Sequence, residues 1–419
     1  MIRNLRDFVV GYLAGIFLGA AILTILTACF TGHAQESTLR QSLAGGGTVR
    51  PQDFGAVGAP NNDTAAFQAA INFCSTQGVA MLVPPGSYQV GNLYMSNNVS
   101  IMGYGATIQT NWGMSGYMFE WGSATNAQLY GLTLMGTNPP TVAGGSPANF
   151  TYPYSQGNVA GVHLLANSQG SRLEDLVCVG FNDAGIRVFG TEAVTNAPGT
   201  PKASLNKVEG VYCFYGCEVL STDWYVGAAE YVHFNAYQET RCNVGLHITA
   251  GNLTFNNCRF NNDNIGAWVD GSVGVNQAHG TFIGCNFNHN AVDSVACNQF
   301  NNGELFIGCQ FLAQGNIGLT NVSGVRIEGG TMSAGTIYVV GGSSSGPNYI
   351  RNSQYYNNGY PAISSISGGQ IVIDEQTQSE VPLYGYSATA HFPKPMNGVY
   401  WVTTNLPPNG LTFDSYPDG

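Results

Sequence analysis

A short pattern recurs along this chain: an apolar residue, two variable ones, an apolar or small one, one variable residue, then a further apolar one. It reads as Leu129/Leu132/Leu134, Leu173/Leu176/Cys178, Val208/Val211/Cys213 and Val232/Asn235/Tyr237. It continues as Phe255/Cys258/Phe260, Phe282/Cys285/Phe287 and Phe306/Cys309/Phe311, and fades through Ile327/Gly330/Met332 and Ile350/Ser353/Tyr355. From Cys213 onward the third positions recur every 21–27 residues. The wider gaps before Cys213 hold Pro- and Gly-rich insertions at 136–157 and 190–202. A fixed period of this length marks a solenoid, in which each repeat needs only its neighbours for a core. The repeats are short and strand-like, with Gly at the corners and no helical periodicity. They predict an all-β fold, a parallel β-helix, rather than helical repeats.

Composition agrees. Charged residues make up 9% of the chain, against about 25% in ordinary soluble domains. Gly accounts for 56 of 419 residues, and 44% are hydrophobic, so the chain is not a disordered one. Gly and Asn suit short strands joined by tight turns, because both tolerate positive φ. Net charge is −11, with only Lys202, Lys207 and Lys394 as lysines. That balance argues against nucleic acid as a partner and against attraction to an anionic membrane surface.

The N-terminus reads as an export segment. Arg3 and Arg6 precede 21 uncharged residues, Phe8 to Ala28, long enough to span a bilayer as a helix. Arginines on the leading side place that end in the cytoplasm. Leu26-Thr27-Ala28-Cys29 resembles a lipoprotein lipobox, which makes Cys29 a lipid-attachment candidate. Gly32-His33-Ala34 offers a small-residue cleavage site instead, and an uncleaved membrane anchor is the third alternative. The expected organisation is export segment 1–35, linker 36–49, solenoid 50–375, and a C-terminal cap or homotrimer contact at 376–419. Prolines at 382, 393, 395, 407 and 408 break the repeat there, while Val399-Tyr400-Trp401-Val402 has strand character.

At the start of the solenoid stands Asp53-Phe54-Gly55-Ala56-Val57-Gly58, followed by Asn61-Asn62-Asp63 as a helix start. Phe67, Ala70, Ile71 and Cys74 then form one apolar stripe, and Gly78 closes a helix expected at about 63–75. An apolar strand, Val79 to Val83, ends in Pro84-Pro85-Gly86-Ser87-Tyr88. With these segments and the ladder above, roughly residues 50–375 resemble the pectate-lyase-like superfamily of single-stranded β-helices. That group includes phage tailspike depolymerases and polygalacturonase-related proteins. The resemblance implies a right-handed parallel β-helix whose open end is covered by the helix, and polysaccharide as the class of partner.

In such a solenoid, equivalent positions stack about 4.8 Å apart. Phe260, Phe287 and Phe311 are expected as an inward aromatic stack, with Cys258, Cys285 and Cys309 as an inward ladder beside it. Cys178 and Cys213 also occupy repeat positions, so most of the ten cysteines read as buried free thiols, with Cys213 and Cys217 the pair close enough for an exception. No zinc-type spacing is present.

Counting outward from the repeat anchors puts Glu239, Asp263 and His289 on neighbouring coils, flanked by Arg241 and Arg259. Carboxylates one or two coils apart fall within the roughly 5–10 Å used by glycosidase pairs, so Glu239 and Asp263 are the hydrolytic candidates. Alternatively, Asp263 joins an Asn-rich corner and Glu239 pairs with Arg241. Lyases of this superfamily often combine an Arg or Lys with Ca²⁺; the resemblance then implies Arg241 or Arg259 as base and Asp263 as a calcium ligand. Further groups are Glu174, Asp175, Asp183 and Arg187, and Asp223, Glu230 and His233 around Trp224 and Tyr225, whose rings suit sugar stacking. No paired Asp-Asp or Gly-His-Gly segment and no three-acid calcium cluster is evident. The resulting expectation is an exported protein that binds and cleaves polysaccharide, with a non-catalytic surface adhesin or tailspike-like scaffold as the alternative.

Overall fold

The computed structural model describes residues 47–374 and 399–402, except 112, 123, 138–151, 153–154, 166–167, 191–202, 222–230, 273–277, 300–302, 314, 333–335, 342–346, 356–361 and 368–370. The stretch read as an export segment, with Cys29, lies outside the described residues. No helix among the described residues is long and apolar enough to cross a membrane.

The described chain winds as a right-handed parallel β-helix. Each middle coil contributes two short strands to one sheet (sheet 1) and one strand to an opposed sheet (sheet 2); in other coils, as at Leu305–Leu312, the two sheet 1 strands run together as one. In the coil that starts at Leu253, these are Leu253–Asn256, Arg259–Asn261 and Ile265–Asp270. The two corners after the sheet 1 strands are single left-handed residues. Asp175, Lys207, Ala236 and Asn257 occupy the first corner on successive coils, with φ between 50° and 52°. Tyr212, Arg241, Asn262 and His289 occupy the second. Asn tolerates this conformation, which accounts for part of the Asn-rich corners seen in the sequence.

Register aligns the core. The first inward column runs Leu173, Leu205, Phe234, Phe255, Phe282, Phe306 and Ile327. Phe255 and Phe282 stack at 4.4 Å between ring centroids, and Phe282 and Phe306 at 4.8 Å. A second stack places Phe260 on Phe287 at 4.8 Å and Phe287 on Phe311 at 5.1 Å. Cys258, Cys285 and Cys309 are buried between them, as expected.

Two coils sit in a different frame from the one expected. The register pairs Cys178 with Gly210, Gly210 with Glu239, and Glu239 with Phe260. The inward triplets are therefore Leu205/Val208/Gly210 and Phe234/Tyr237/Glu239, not Val208/Val211/Cys213 and Val232/Asn235/Tyr237. Both true triplets end in a residue that is not apolar, so the pattern passed over them in favour of an evenly spaced neighbour. Cys213 belongs instead to an inward corner column with Phe181, Cys242, Asp263 and Asn290, each one residue past a left-handed corner and each buried.

The helix Thr64–Gln77 covers the first coil, with Phe67, Ala70, Ile71 and Cys74 buried against strands Ala80–Leu82, Gly86–Val90 and Leu93–Tyr94. Asp63 precedes it but does not cap it with its side chain. Its carboxylate accepts hydrogen bonds from the N–H groups of Val57 and Gly58, at 2.8 and 3.1 Å, and so holds the preceding loop. Thr48–Val49, the end of the stretch read as linker, already pair with Ala80–Met81. At the other end Val399–Val402 pair antiparallel with Ile371–Asp374.

Nine cysteines are described, all free and all buried. Thiol titration of the unreduced protein should leave these nine unreactive in the native state and expose all nine in denaturant; native-state reactivity or a lower denatured count would contradict the core. Phe287→Ala removes the middle ring of a stack and should cost about 3–5 kcal/mol in chemical denaturation.

Candidate functional site

Outward side chains of sheet 2 form a column that the sequence reading did not follow. Along each strand the flanking residues point inward: Val162 and Leu164, Ile186 and Val188, Cys217 and Val219, Leu246 and Ile248, Ala267 and Val269. The residue between them points away from the core. Register stacks these as Tyr94, Glu120, His163, Arg187, Glu218, His247 and Trp268 on seven consecutive coils. Asp183, from the corner before Arg187, and the rings of Tyr117 and Tyr215 join it.

Arg187 is the centre. Its Nε donates to Glu218 Oε2 at 2.7 Å, its Nη2 to Asp183 Oδ1 at 2.7 Å and also to Glu218, and its Nη1 to the Tyr117 hydroxyl at 3.2 Å. Burial opposes its charge, but Glu218 and Asp183 outweigh that and hold the guanidinium more basic than usual. His247 Nδ1 lies 3.2 Å from Glu218 Oε1, and its ring is stacked between Tyr215 at 5.4 Å and Trp268 at 4.4 Å. On the other side of Arg187, His163 stacks on Tyr117 with centroids 3.9 Å apart. His163 is 6% exposed, and neither ring nitrogen has a hydrogen-bond partner. Burial, reinforced by the Arg187 charge, lowers its pKa to about 4, so the imidazole is neutral at neutral pH.

This arrangement supplies two kinds of chemistry. A neutral imidazole beside a guanidinium is a base with a positive stabiliser, the pair needed to remove a proton next to a carboxylate. Asp183 and Glu218 meet at one Arg nitrogen, which brings the two carboxyls to about 5 Å or less, the separation of retaining glycosidase pairs. Of these residues, the sequence reading had grouped only Asp183 and Arg187. The others repeat at coil length, a signal that would have been visible had the second strand of each coil been aligned like the first.

The residues expected to form the site lie elsewhere. Glu239 and Asp263 do not face outward: they are 1% and 0% exposed, inside the solenoid. Glu239 occupies a core column in space left by Gly210, Gly216 and Gly245, where a Cβ at Gly245 would overlap its carboxyl group. Tyr237 donates to its Oε2 at 3.2 Å, and Oε1 has no partner. Asp263 sits at an inward corner. It accepts the Cys242 N–H at 2.6 Å, while its own N–H donates to Asn290 Oδ1 at 3.0 Å, so it does join the corner ladder. A sugar chain outside the coil does not reach either carboxyl. The same inward position does not suit Asp263 to hold calcium for an outside substrate. Among the described residues no three His, Cys, Asp or Glu converge as metal ligands.

Arg241 pairs with the Tyr212 hydroxyl and lies over its ring rather than meeting Glu239. His289 is a left-handed corner residue. Arg259 and His233 are exposed on sheet 1, with Arg259 in a shallow depression of about 550 Å³ beside Asp175, Lys207 and Glu209. Glu174 accepts a hydrogen bond from the Asn206 amide at 2.9 Å on that face. Asp223, Trp224, Tyr225 and Glu230 lie outside the described residues.

No family model matches the chain, and no curated protein matches it in sequence. Solved structures match in fold. The A-module of mannuronan C-5 epimerase AlgE4 from Azotobacter vinelandii is 14% identical, with a TM-score of 0.50 over 78% of this chain and 91% of that one. Full-length tailspike protein 2 of an Escherichia coli O157:H7 bacteriophage is 14% identical, with a TM-score of 0.49 over 81% and 43% of the two chains. ORF18 of Geobacillus virus E2 is 12% identical, with a TM-score of 0.48 over 88% and 76%. At these identities the likeness is one of fold, a parallel β-helix.

Burial raises the pKa of Glu239 well above its ordinary value, with the neighbouring Asp263 adding to the effect, and burial does the same to Asp263. A carboxyl whose folded pKa is raised stabilises the fold fully below its unfolded pKa, near 4. That stability is lost as pH rises toward the folded value, because the unfolded chain then releases protons that the folded chain must keep. The melting temperature should therefore fall from pH 4 to pH 8. Glu239→Gln and Asp263→Asn should flatten that slope and gain on the parent as pH rises; parallel curves would contradict protonated interior carboxyls.

Proposed function

We propose that this chain is an exported protein that binds an extended polysaccharide along the outer face of sheet 2 and acts on it around Arg187. The observation that carries this reading is the column itself. In a chain with 9% charged residues, four ionisable groups follow one another from Glu120 to His247's neighbour Glu218, His247 makes a fifth, and aromatic rings stand at both ends. Tyr94 and Trp268 suit sugar rings, which stack on aromatic faces. Six steps of about 4.8 Å make the column about 29 Å long, the scale of a bound oligosaccharide rather than a small metabolite. The leader in residues 1–35 delivers the solenoid to where polysaccharides are met. The AlgE4 A-module, which shares the fold, is named for an enzyme acting on mannuronan.

The reaction class favoured is proton abstraction beside a uronate carboxylate, with Arg187 as the positive group and His163 as base, whose buried ring nitrogens must be uncovered as the polymer seats. Hydrolysis needs one carboxyl to deliver a proton to the leaving oxygen, whereas Asp183 and Glu218 are both engaged by Arg187. A second reading, a non-catalytic adhesin, is supported by one observation: Arg187 has each of its three nitrogens hydrogen-bonded within the protein.

The test offers the purified full-length protein a panel of neutral and uronate polysaccharides in D₂O. It follows reducing ends, unsaturated uronates and deuterium incorporation together. Proton abstraction predicts either deuterium at the carbon beside the carboxylate, when the carbanion is reprotonated, or new unsaturated ends, when the leaving oxygen is expelled, and a loss of about 10²–10⁴-fold in His163→Gln, with Arg187→Lys also impaired. Reducing ends without unsaturation would move the assignment to Asp183 and Glu218. Retained binding with no conversion of any polymer would leave the adhesin reading.

A further inference from the structure

At the N-terminal end of the column a pocket of about 390 Å³ opens between sheet 2 and the covering helix. Its walls include Ser75 from the helix, Tyr94, Ser96 and Asn97 from the first coil, and Glu120 and Trp121 from the second. Tyr94 and Glu120 are also the first two rungs of the column, so the pocket continues it. We propose that this pocket is a terminal subsite that takes the neutral end sugar of the polysaccharide, an inference that rests on the reading of the column as a glycan path.

The chemistry of the lining selects the sugar. Tyr94 is 58% exposed and presents an aromatic face to the pocket region. The Glu120 side chain is 28% exposed, enough to accept hydrogen bonds from sugar hydroxyls. Asn97 spends its side-chain oxygen on the Thr125 N–H at 2.8 Å, which keeps its NH₂ as a donor. Among the described residues the lining holds that one carboxylate and no Lys, Arg or His. A uronate there would meet a like charge with no counterion, whereas a neutral hexose would meet an acceptor, donors and a ring. Three coils along, Arg187 provides the opposite environment, so the column discriminates between its own positions by charge.

The shape selects the chain end. The helix Thr64–Gln77 lies across the first coil, and Ser75 forms part of the pocket wall, with its hydroxyl donating to the Asn97 carbonyl at 3.2 Å. A glycan following the column from Trp268 toward Tyr94 therefore meets helix rather than further groove. The pocket volume lies within the roughly 300–1,000 Å³ range of small-molecule sites.

Saturation-transfer NMR on the full-length protein tests this with free glucose, galactose and N-acetylglucosamine against free glucuronate. The expected result is transfer to at least one neutral sugar that is lost when the pocket is filled, whereas any glucuronate signal belongs to the Arg187 rung and does not respond to the pocket variants. Ser96→Trp, which fills the pocket, should weaken that signal about tenfold or more. A circular-dichroism melt confirms that each variant is folded, and Tyr94→Ala, an exposed-residue change, provides a second variant with the same expected loss. No transfer to any neutral sugar, a glucuronate signal that the pocket variants abolish, or a neutral-sugar signal that survives both pocket variants overturns the subsite. Those outcomes are separate from failure of the column reading, which is seen as absence of polysaccharide binding or conversion by the unaltered protein.

Discussion

Everything in this fold depends on parallel register. Each coil hydrogen-bonds to the next with equivalent residues directly over one another, so every side chain has two neighbours fixed by position rather than by sequence proximity. Like residues benefit inside the coil, where rings stack on rings. Outside it the same rule forbids like charges on adjacent rungs, because stacked equal charges repel. The column from Glu120 to His247 respects this: acid, imidazole, guanidinium, acid, imidazole. Each rung faces a partner that it can attract or at least does not repel. A row of ionisable groups can therefore persist on a solenoid that otherwise carries few of them.

Register also explains why acids are found inside. Glu239 follows Gly210 and precedes Phe260 in one core column, and the glycines of sheet 2 opposite leave the volume that its side chain fills. Asp263 occupies a corner where the N–H of Cys242 on the preceding coil needs an acceptor. A neutral carboxyl satisfies that demand, at the cost of holding its proton when the solvent would remove it. Glu304 repeats the situation further along, fully buried with its pKa pushed up to about 8. These groups belong to the packing of the coil and not to its outer chemistry.

How much of this was legible beforehand follows from the same geometry. The solenoid, the covering helix and the Phe and Cys columns were legible because their residues are apolar and recur at coil length. The frame of two coils was not, since Gly210 and Glu239 break the apolar pattern while Val211 and Cys213 imitate it. That two-residue error turned Glu239 from a core residue into an apparent surface acid. Asp263 was misplaced for a different reason: a residue just past a left-handed corner points inward whatever its polarity. The Arg187 cluster was half visible, as Asp183 lies in the corner just before the strand that carries Arg187. Glu218 and His247 are joined to them only through register, at separations of 31 and 29 residues between successive rungs that no local motif links.

The limits of the column are set by side-chain size as much as by charge. Beyond Trp268 the same positions hold Ala296 and Gly318, and then Tyr338. Tyr338 does not extend the ladder outward. It lies back across Gly318, where a Cβ would collide with its ring, and donates its hydroxyl to Asp293 at 3.0 Å. The path thus ends in a folded-back tyrosine at one end and in a covering helix at the other. Between them the environment changes from a pocket with a lone carboxylate, through a guanidinium, to a stacked indole. A homopolymer would meet these rungs with the same group at every step and match only some of them. On the proposed glycan reading, a chain with a neutral unit at the terminal pocket and a uronate at the Arg187 rung matches both, and binds in one orientation only.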